Sequence, residues 1–323
     1  MTLSLPVGPL GRTHLQATPI GIGLAALGRP AYITTERDVQ LGEDRSVDAM
    51  RARSFEVLDA VYAHGVRYMD VARSYGLAED FLGAWLRERD RPVGDPAVGS
   101  KWGYRYVAGW RMDAPDHEVK DLSLDHYRAQ IEETRGRLGE HLGLYQVHSA
   151  TVESGVLEDA ALLRELDALR KDGVAIGLSV TGPQQGDTID RAAATGAFDT
   201  VQVTWNLHER AAGEALARAH DGGMAVLVKE GVANGRLAGA SAPAVLREAA
   251  AERGTTPDAL ALAVVLAQPW ADVAISGAVT LETLESNLRA VEVEVDAALE
   301  EALAGLEEPA EAYWSARSAR PWV

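Results

Sequence analysis

Gly65-Val66-Arg67-Tyr68-Met69-Asp70-Val71-Ala72-Arg73-Ser74-Tyr75-Gly76-Leu77-Ala78-Glu79-Asp80-Phe81-Leu82-Gly83 is a strand, a loop and the start of a helix in succession. Residues 66–69 alternate apolar and polar side chains and are β-prone, as a short strand requires. Asp70 then stands at the strand's C-terminal end. Gly76 marks a turn, and Phe81, Leu82, Trp85 and Leu86 follow at helical spacing. In a parallel α/β fold the C-terminal strand ends carry the chemistry, so the acid Asp70 and the phenol Tyr75 are the first candidates. A lone strand-end Asp is more often a cap or turn former, and only the surrounding pattern gives this one weight.

Outward from this unit the chain repeats the same alternation. Strands are expected at 18–27, 66–69, 96–101, 144–148, 174–180, 200–205, 224–228 and 272–276. Helices are expected at 49–64, 124–141, 157–171, 183–195, 209–220, 244–251, 257–266, 281–291 and 297–306, besides the one after Gly76. Residues 28–48 are polar and irregular. Leu10-Gly11-Arg12-Thr13 makes a hairpin turn ahead of the first strand, and 313–323 reads as an irregular tail. Strict β-α alternation implies a parallel sheet, and eight units imply closure. The expected fold is therefore α/β, a (β/α)8 TIM barrel over 1–323 as one domain, with an N-terminal hairpin and an extra C-terminal helix. A doubly wound open sheet is the alternative.

The quoted stretch closely resembles the aldo-keto reductase signature: a strand-end Asp, then Tyr-Gly, a Glu and Leu-Gly, matched here by Asp70, Tyr75, Gly76, Glu79, Leu82 and Gly83. Lys101 and His148 end two further expected strands. In a barrel these ends converge on one face. The resemblance implies that Asp70, Tyr75, Lys101 and His148 are the catalytic set. The chemistry agrees with it. Reduction of a carbonyl needs hydride at carbon and a proton at oxygen. A phenol in water is too weak an acid for neutral pH. Lys101 would stabilise the phenolate, Asp70 would hold Lys101 charged, and His148 would hydrogen-bond the carbonyl oxygen. Hydride must come from a nicotinamide, since no side chain supplies it.

The same resemblance implies the cofactor positions. Gly21-x-Gly23 lacks the third Gly and helix start of a dinucleotide fingerprint, so Gly23 is expected only to let the strand approach the nicotinamide. Ser179 and Gln202 would meet the carboxamide. Val180 stands where the family has Asn, and Lys229 where it has an aromatic that stacks on the nicotinamide, a stack Trp205 would then supply. The loop with Gly231, Val232, Asn234 and Arg236 would wrap the pyrophosphate. Gly277, Thr280, Thr283 and Asn287 would hold the adenosine phosphate at a helix start. Family habit favours NADP(H). The missing basic residues at Gly277 and Thr283 leave NAD(H) open.

Residues 102–120 form a long stretch without periodicity, and its aromatics Trp102, Tyr104, Tyr106 and Trp110 are expected to wall the substrate pocket. Asp113, Asp116, His117 and His126 do not have zinc spacing. The chain has no Cys, which excludes disulfides, thiolate metal sites and a Cys nucleophile and fits a reducing, cytoplasmic setting. Its net charge of -17 without a basic stripe argues against nucleic acid. No apolar run reaches the length of a membrane helix, and the first residues lack a basic segment of a signal peptide. The expected partner is a small carbonyl or alcohol, such as a sugar or a natural-product intermediate. Alternatives are an NAD-linked sugar dehydrogenase working oxidatively and a nicotinamide-binding regulatory subunit.

Overall fold

Eight parallel strands close on themselves in the computed structural model, which describes residues 5–33 and 40–322. The strands are β1 Ile20–Gly23, β2 Tyr68–Asp70, β3 Ala97–Trp102 and β4 Leu142–Ala150. They continue as β5 Ala175–Val180, β6 Thr200–Thr204, β7 Ala225–Lys229 and β8 Val273–Ser276. Each pairs with its sequence neighbours, and β8 returns to β1 through Ala274 opposite Ile20. The barrel and its order are those expected. β1 is shorter than the expected run, because 18–19 and 24–27 leave the sheet, and β4 is longer than the expected 144–148.

The helices form an outer layer. They are α1 Val47–Ala63, α2 Ala78–Glu88, α3 Leu124–Leu138, α4 Ala160–Lys171 and α5 Gln185–Thr195. Then come α6 Gly213–Asp221, α7 Ala244–Glu252, α8 Pro257–Leu266 and α9 Leu281–Leu288. Two more, α10 Ala297–Leu303 and α11 Ala310–Ser318, follow the barrel. Side chains of Ser46, Ser123, Asp159, Thr256 and Thr280 accept from N–H groups in the first turns of α1, α3, α4, α8 and α9. Those donors have no partner within the helix, so the caps set where each helix begins. Among the described residues no helix is long and apolar enough to cross a membrane.

Two expectations are corrected. The tail over 313–323 is not irregular: α11 runs through most of it, with Tyr313 and Trp314 buried. The stretch 102–120 is not structureless either, since Tyr104–Tyr106 pairs antiparallel with Glu118–Lys120. Residues 34–39 of the expected loop 28–48, with 1–4 and 323, lie outside the described residues.

The hairpin Gly8–Pro9 with Gln16–Ala17 closes the N-terminal end of the barrel. Its Leu10, Leu15 and Ala17 pack with interior residues Tyr68, Leu144, Leu227 and Val273. The opposite end is left for the loops. There two glycines allow a close crossing: a Cβ on Gly28 would stand 2.4 Å from the Tyr75 carbonyl oxygen, and one on Gly76 2.4 Å from that of Gly28. Gly76 also has φ of 60°, in the left-handed region. Gly76→Ala should therefore cost about 2 kcal/mol or more of stability in urea unfolding. An unchanged midpoint would mean that this crossing is slack.

Candidate active site

Asp70 and Lys101 end neighbouring strands and face each other inside the barrel. The Lys101 ammonium, fully buried, donates to Asp70 Oδ2 at 2.5 Å and to the Val71 carbonyl at 3.1 Å. The other Asp70 oxygen accepts from the Gln202 amide at 2.8 Å and the Tyr68 hydroxyl at 3.4 Å. Strand alternation explains the partners. Lys101 points inward, while its neighbours Ser100 and Trp102 point to the helices. Ser100 donates to Glu79 at 2.6 Å, and Trp102 packs against Tyr127. Glu79, in the quoted stretch, is thus a fully buried tie: it also accepts from Thr134 and pairs with Arg73.

Tyr75 lies in the loop after β2 with its ring centroid 4.9 Å from the Lys101 ammonium. His148 meets the same ring edge-on at 5.5 Å, and its Nδ1 is 3.5 Å from the Ser74 hydroxyl. A break in the β4–β5 register presents His148: the next residue, Ser149, has φ of 55°, and its N–H donates to Ser179 Oγ at 2.8 Å. The four expected side chains are therefore brought together. Burial, and after it the charge of Asp70, hold the Tyr75 hydroxyl well above a phenol's usual pKa, with Arg29 pulling the other way. The expectation that the ammonium leaves this phenol more acidic than in water is not met at rest: burial dominates, and the phenol keeps its proton. His148 is well below the usual imidazole range, through burial and then Lys101, Lys229, Arg29 and Lys120, so it is neutral at pH 7.

Asp70, Tyr75 and His148 open into one cavity of about 350 Å³, with Lys101 buried behind Asp70. Gly23, Gln202, Lys229, Gly231, Val232, Asn234, Gly277, Thr283 and Asn287 line it, as does the aromatic Tyr104. The other expected lining residues do not. Ser179 is buried beneath the Ser149 bend. Trp205 packs on Trp270, Arg236 pairs with Glu308, and Thr280 caps α9. Trp102 is fully buried on the helix side, Tyr106 lies on the ribbon, and Trp110 donates to the Arg45 carbonyl. His117 stacks on Trp322 and Asp113 pairs with Arg111.

Sequence reasoning missed a second group of lining residues. Arg29 sits over the Tyr75 ring at 5.0 Å and pairs with Glu118 at 2.9 Å. Arg317, Arg320 and Trp322 reach the cavity from the segment beginning at α11. The signal was present: Trp314, Arg317, Arg320 and Trp322 are aromatic and basic at near-helical spacing in a stretch that reads as a tail. The cavity suits a dinucleotide. It runs from Tyr75 past the loop at 230–235 to the start of α9, and a Cβ on Gly277 would meet nothing within 4 Å. Three non-glycine residues of that loop, Glu230, Ala233 and Asn234, have positive φ, so the turn is held against local preference.

A family model described as the aldo/keto reductase family matches residues 19–307. The chain belongs to that family. Among its relatives, the D-threo-aldose 1-dehydrogenase of Pseudomonas sp is 27% identical over 270 residues, or 78% of this chain and 78% of that one. The uncharacterized oxidoreductase YqkF of Bacillus subtilis strain 168 is 22% identical over 312 residues, 87% of this chain and 89% of that one. The holo form of an aldo-keto reductase from Bacillus halodurans superposes with a TM-score of 0.73 over 95% of this chain and 98% of that one. At 21% identity that likeness shows the shared fold. This aldo-keto reductase is thus an oxidoreductase of a family that uses nicotinamide cofactors on small carbonyl compounds.

One ion pair stands in the wall of the aldo-keto reductase cavity. Arg317 donates to both oxygens of Glu230 at 2.5 to 3.0 Å. Burial opposes ionisation of Glu230, yet Arg317 and Lys229 outweigh it and bring its pKa down to about 2. A depressed carboxyl stabilises the fold above its unfolded value of 4.5, and that contribution is lost as pH falls through about 2. Arg317→Met should leave a buried carboxylate unpaired and cost about 3 kcal/mol at neutral pH. Thermal melts between those two pH values should show a smaller acid-dependent drop in the variant than in the parent.

Proposed function

We propose that this enzyme interconverts the carbonyl of a small hydroxylated aldehyde or ketone with its alcohol, with Tyr75 as the proton donor and acceptor. The observation that carries the reading is that Tyr75, His148 and Asp70 line a single cavity, with Lys101 held by Asp70 and 4.9 Å from the Tyr75 ring centroid. The bound nicotinamide supplies or removes hydride. In reduction, Tyr75 gives its proton to the carbonyl oxygen, and Lys101, aimed by Asp70, steadies the phenolate that remains. Neutral His148 is a hydrogen-bonding group for the same oxygen and does not compete as a base. The aromatic ring of Tyr104 and the Arg29–Glu118 pair in the same cavity suit a polyhydroxylated substrate, which needs both apolar contact and charged hydrogen-bond partners. The aldose dehydrogenase relative supports that class.

For the cofactor, the expectation of NADP(H) gives way to NAD(H) in our reading. The segment 276–287 carries no Lys or Arg. Beside it Asp258, mostly buried on α8, accepts from Ser286 at 2.7 Å and Asn287 at 2.6 Å and lines the cavity. A carboxylate there repels a 2′-phosphate and accepts from a free 2′-hydroxyl. It also favours the second reading, a sugar dehydrogenase working oxidatively on NAD.

Tyr75→Phe should lower turnover by roughly 10²- to 10⁴-fold in a sugar-aldehyde panel while cofactor affinity stays within about twofold. Turnover near the parent level would remove Tyr75 as the acid. Fluorescence titration should give NADH roughly tenfold tighter binding than NADPH, with the gap narrowed in Asp258→Asn. Equal or tighter NADPH binding would restore the NADP(H) expectation.

A further inference from the structure

Lys229 ends β7 and lines the cavity together with Asp70, Tyr75, His148 and Gln202. Its ammonium donates to the Thr204 hydroxyl at 2.7 Å and lies 5.9 Å from the centroid of the Trp314 ring. Both neighbouring carboxylates are already engaged. Asp70 holds Lys101 and the Gln202 amide, and Glu230 holds Arg317 through both oxygens. Among the described residues no carboxylate stands within 4.0 Å of the Lys229 nitrogen. Lys101 and Arg317 are thus each in contact with a carboxylate, Asp70 and Glu230, and Lys229, on the cavity wall, is in contact with neither.

An ammonium partly withdrawn from water with no carboxylate in contact is costly, so such a residue is not a neutral choice for stability. Thr204 and Trp314 supply a neutral acceptor and a ring face, which orient the charge without cancelling it. The cavity into which it points is the one where hydride has to pass beside Tyr75. The two redox forms of a nicotinamide differ in one respect that a fixed charge reads directly: the oxidised ring is a cation and the reduced ring is neutral.

We propose that Lys229 makes this site discriminate between the redox forms of its cofactor, repelling the oxidised ring and sparing the reduced one. The inference rests on the nicotinamide reading above. By linkage, whatever factor separates the two affinities also shifts the bound redox equilibrium toward the reduced form. Lys229 then opposes net oxidation of alcohols at neutral pH and hastens loss of the oxidised product after reduction.

The charge can be titrated away. Burial is the main cause of a Lys229 pKa of about 8, opposed by Glu230 and helped by Arg317 and Lys101, with Asp70 opposing. Of the groups facing it, Glu230 with a pKa of about 2 and neutral His148 do not change charge above neutrality. Lys101, Asp70 and Arg317 also act on it, and Arg29, Glu118, Arg320 and Tyr75, whose phenol is held well above its usual pKa, line the same cavity.

The test is equilibrium binding, with NADH followed by fluorescence and NAD+ by calorimetry, and the NADP pair run in parallel. The parent should bind the reduced form at least roughly tenfold more tightly at about pH 7, and the gap should narrow by about pH 9.5. Lys229→Met should close much of the gap at both pH values, and Lys229→Arg should keep it at both. A folded Lys229→Met with the parent's ratio overturns the proposal. If that variant does not fold, a parent ratio that is flat across the pH range overturns it instead. Binding of neither form in the parent would sink the nicotinamide reading itself, a result distinct from an unaltered ratio.

Discussion

Two charges shut inside the barrel, Asp70 and Lys101, impose the constraint around which the rest is arranged. Each alone would be costly to bury, and the 2.5 Å contact makes the pair tolerable only while both strand ends hold their places. That requirement reaches outward. Asp70 also receives the Gln202 amide from across the barrel, which links β2 to β6. Ser100, one residue before Lys101, is tied to Glu79 on α2, and Glu79 in turn reaches Thr134 on α3. The quoted stretch thus holds two kinds of acid. Asp70 serves the cavity, and Glu79 serves the joint between barrel and helices.

Around that pair the cavity mouth is assembled from parts far apart in sequence. The bend at Ser149 aims His148, and the Gly28–Gly76 crossing seats the loop that carries Tyr75. Lys229, Glu230 and Arg317 form a second layer of charge on the opposite wall. The two layers differ in kind. In the first, cation and anion match one to one. In the second, the Lys229 ammonium has no carboxylate in contact among the described residues, and a charge on a cavity wall acts on any charged ligand that enters. The outermost wall, with Trp322 stacked on His117, joins the last described residues to the ribbon at Glu118–Lys120.

Much of this is legible from residue order because strand ends and helix starts are local events. The β-α alternation and the four polar residues Asp70, Tyr75, Lys101 and His148 follow from neighbours in the chain. Of the expected aromatic pocket wall, Tyr104 followed and Trp102, Tyr106 and Trp110 did not. Trp102 is one residue past the inward-pointing Lys101, so the two-residue period turns it toward α3. Trp205 lies just beyond β6 and packs on Trp270. Ser179 is at the expected strand end, but its hydroxyl is used by the Ser149 N–H. In each case the residue type was read correctly and the face was not.

By itself the sequence determined the barrel, its eight units, the family signature and the identity of the four central side chains. Periodicity and strand-end chemistry need no knowledge of distant contacts. Only the tertiary structure decided which cations meet a carboxylate, where the aromatics face, and that Arg29, Glu118, Arg317 and Trp322 join the cavity. Those outcomes depend on through-space distance between residues remote in sequence, to which no local pattern is sensitive. The phenol's retained proton belongs with them, since burial is a property of the whole fold.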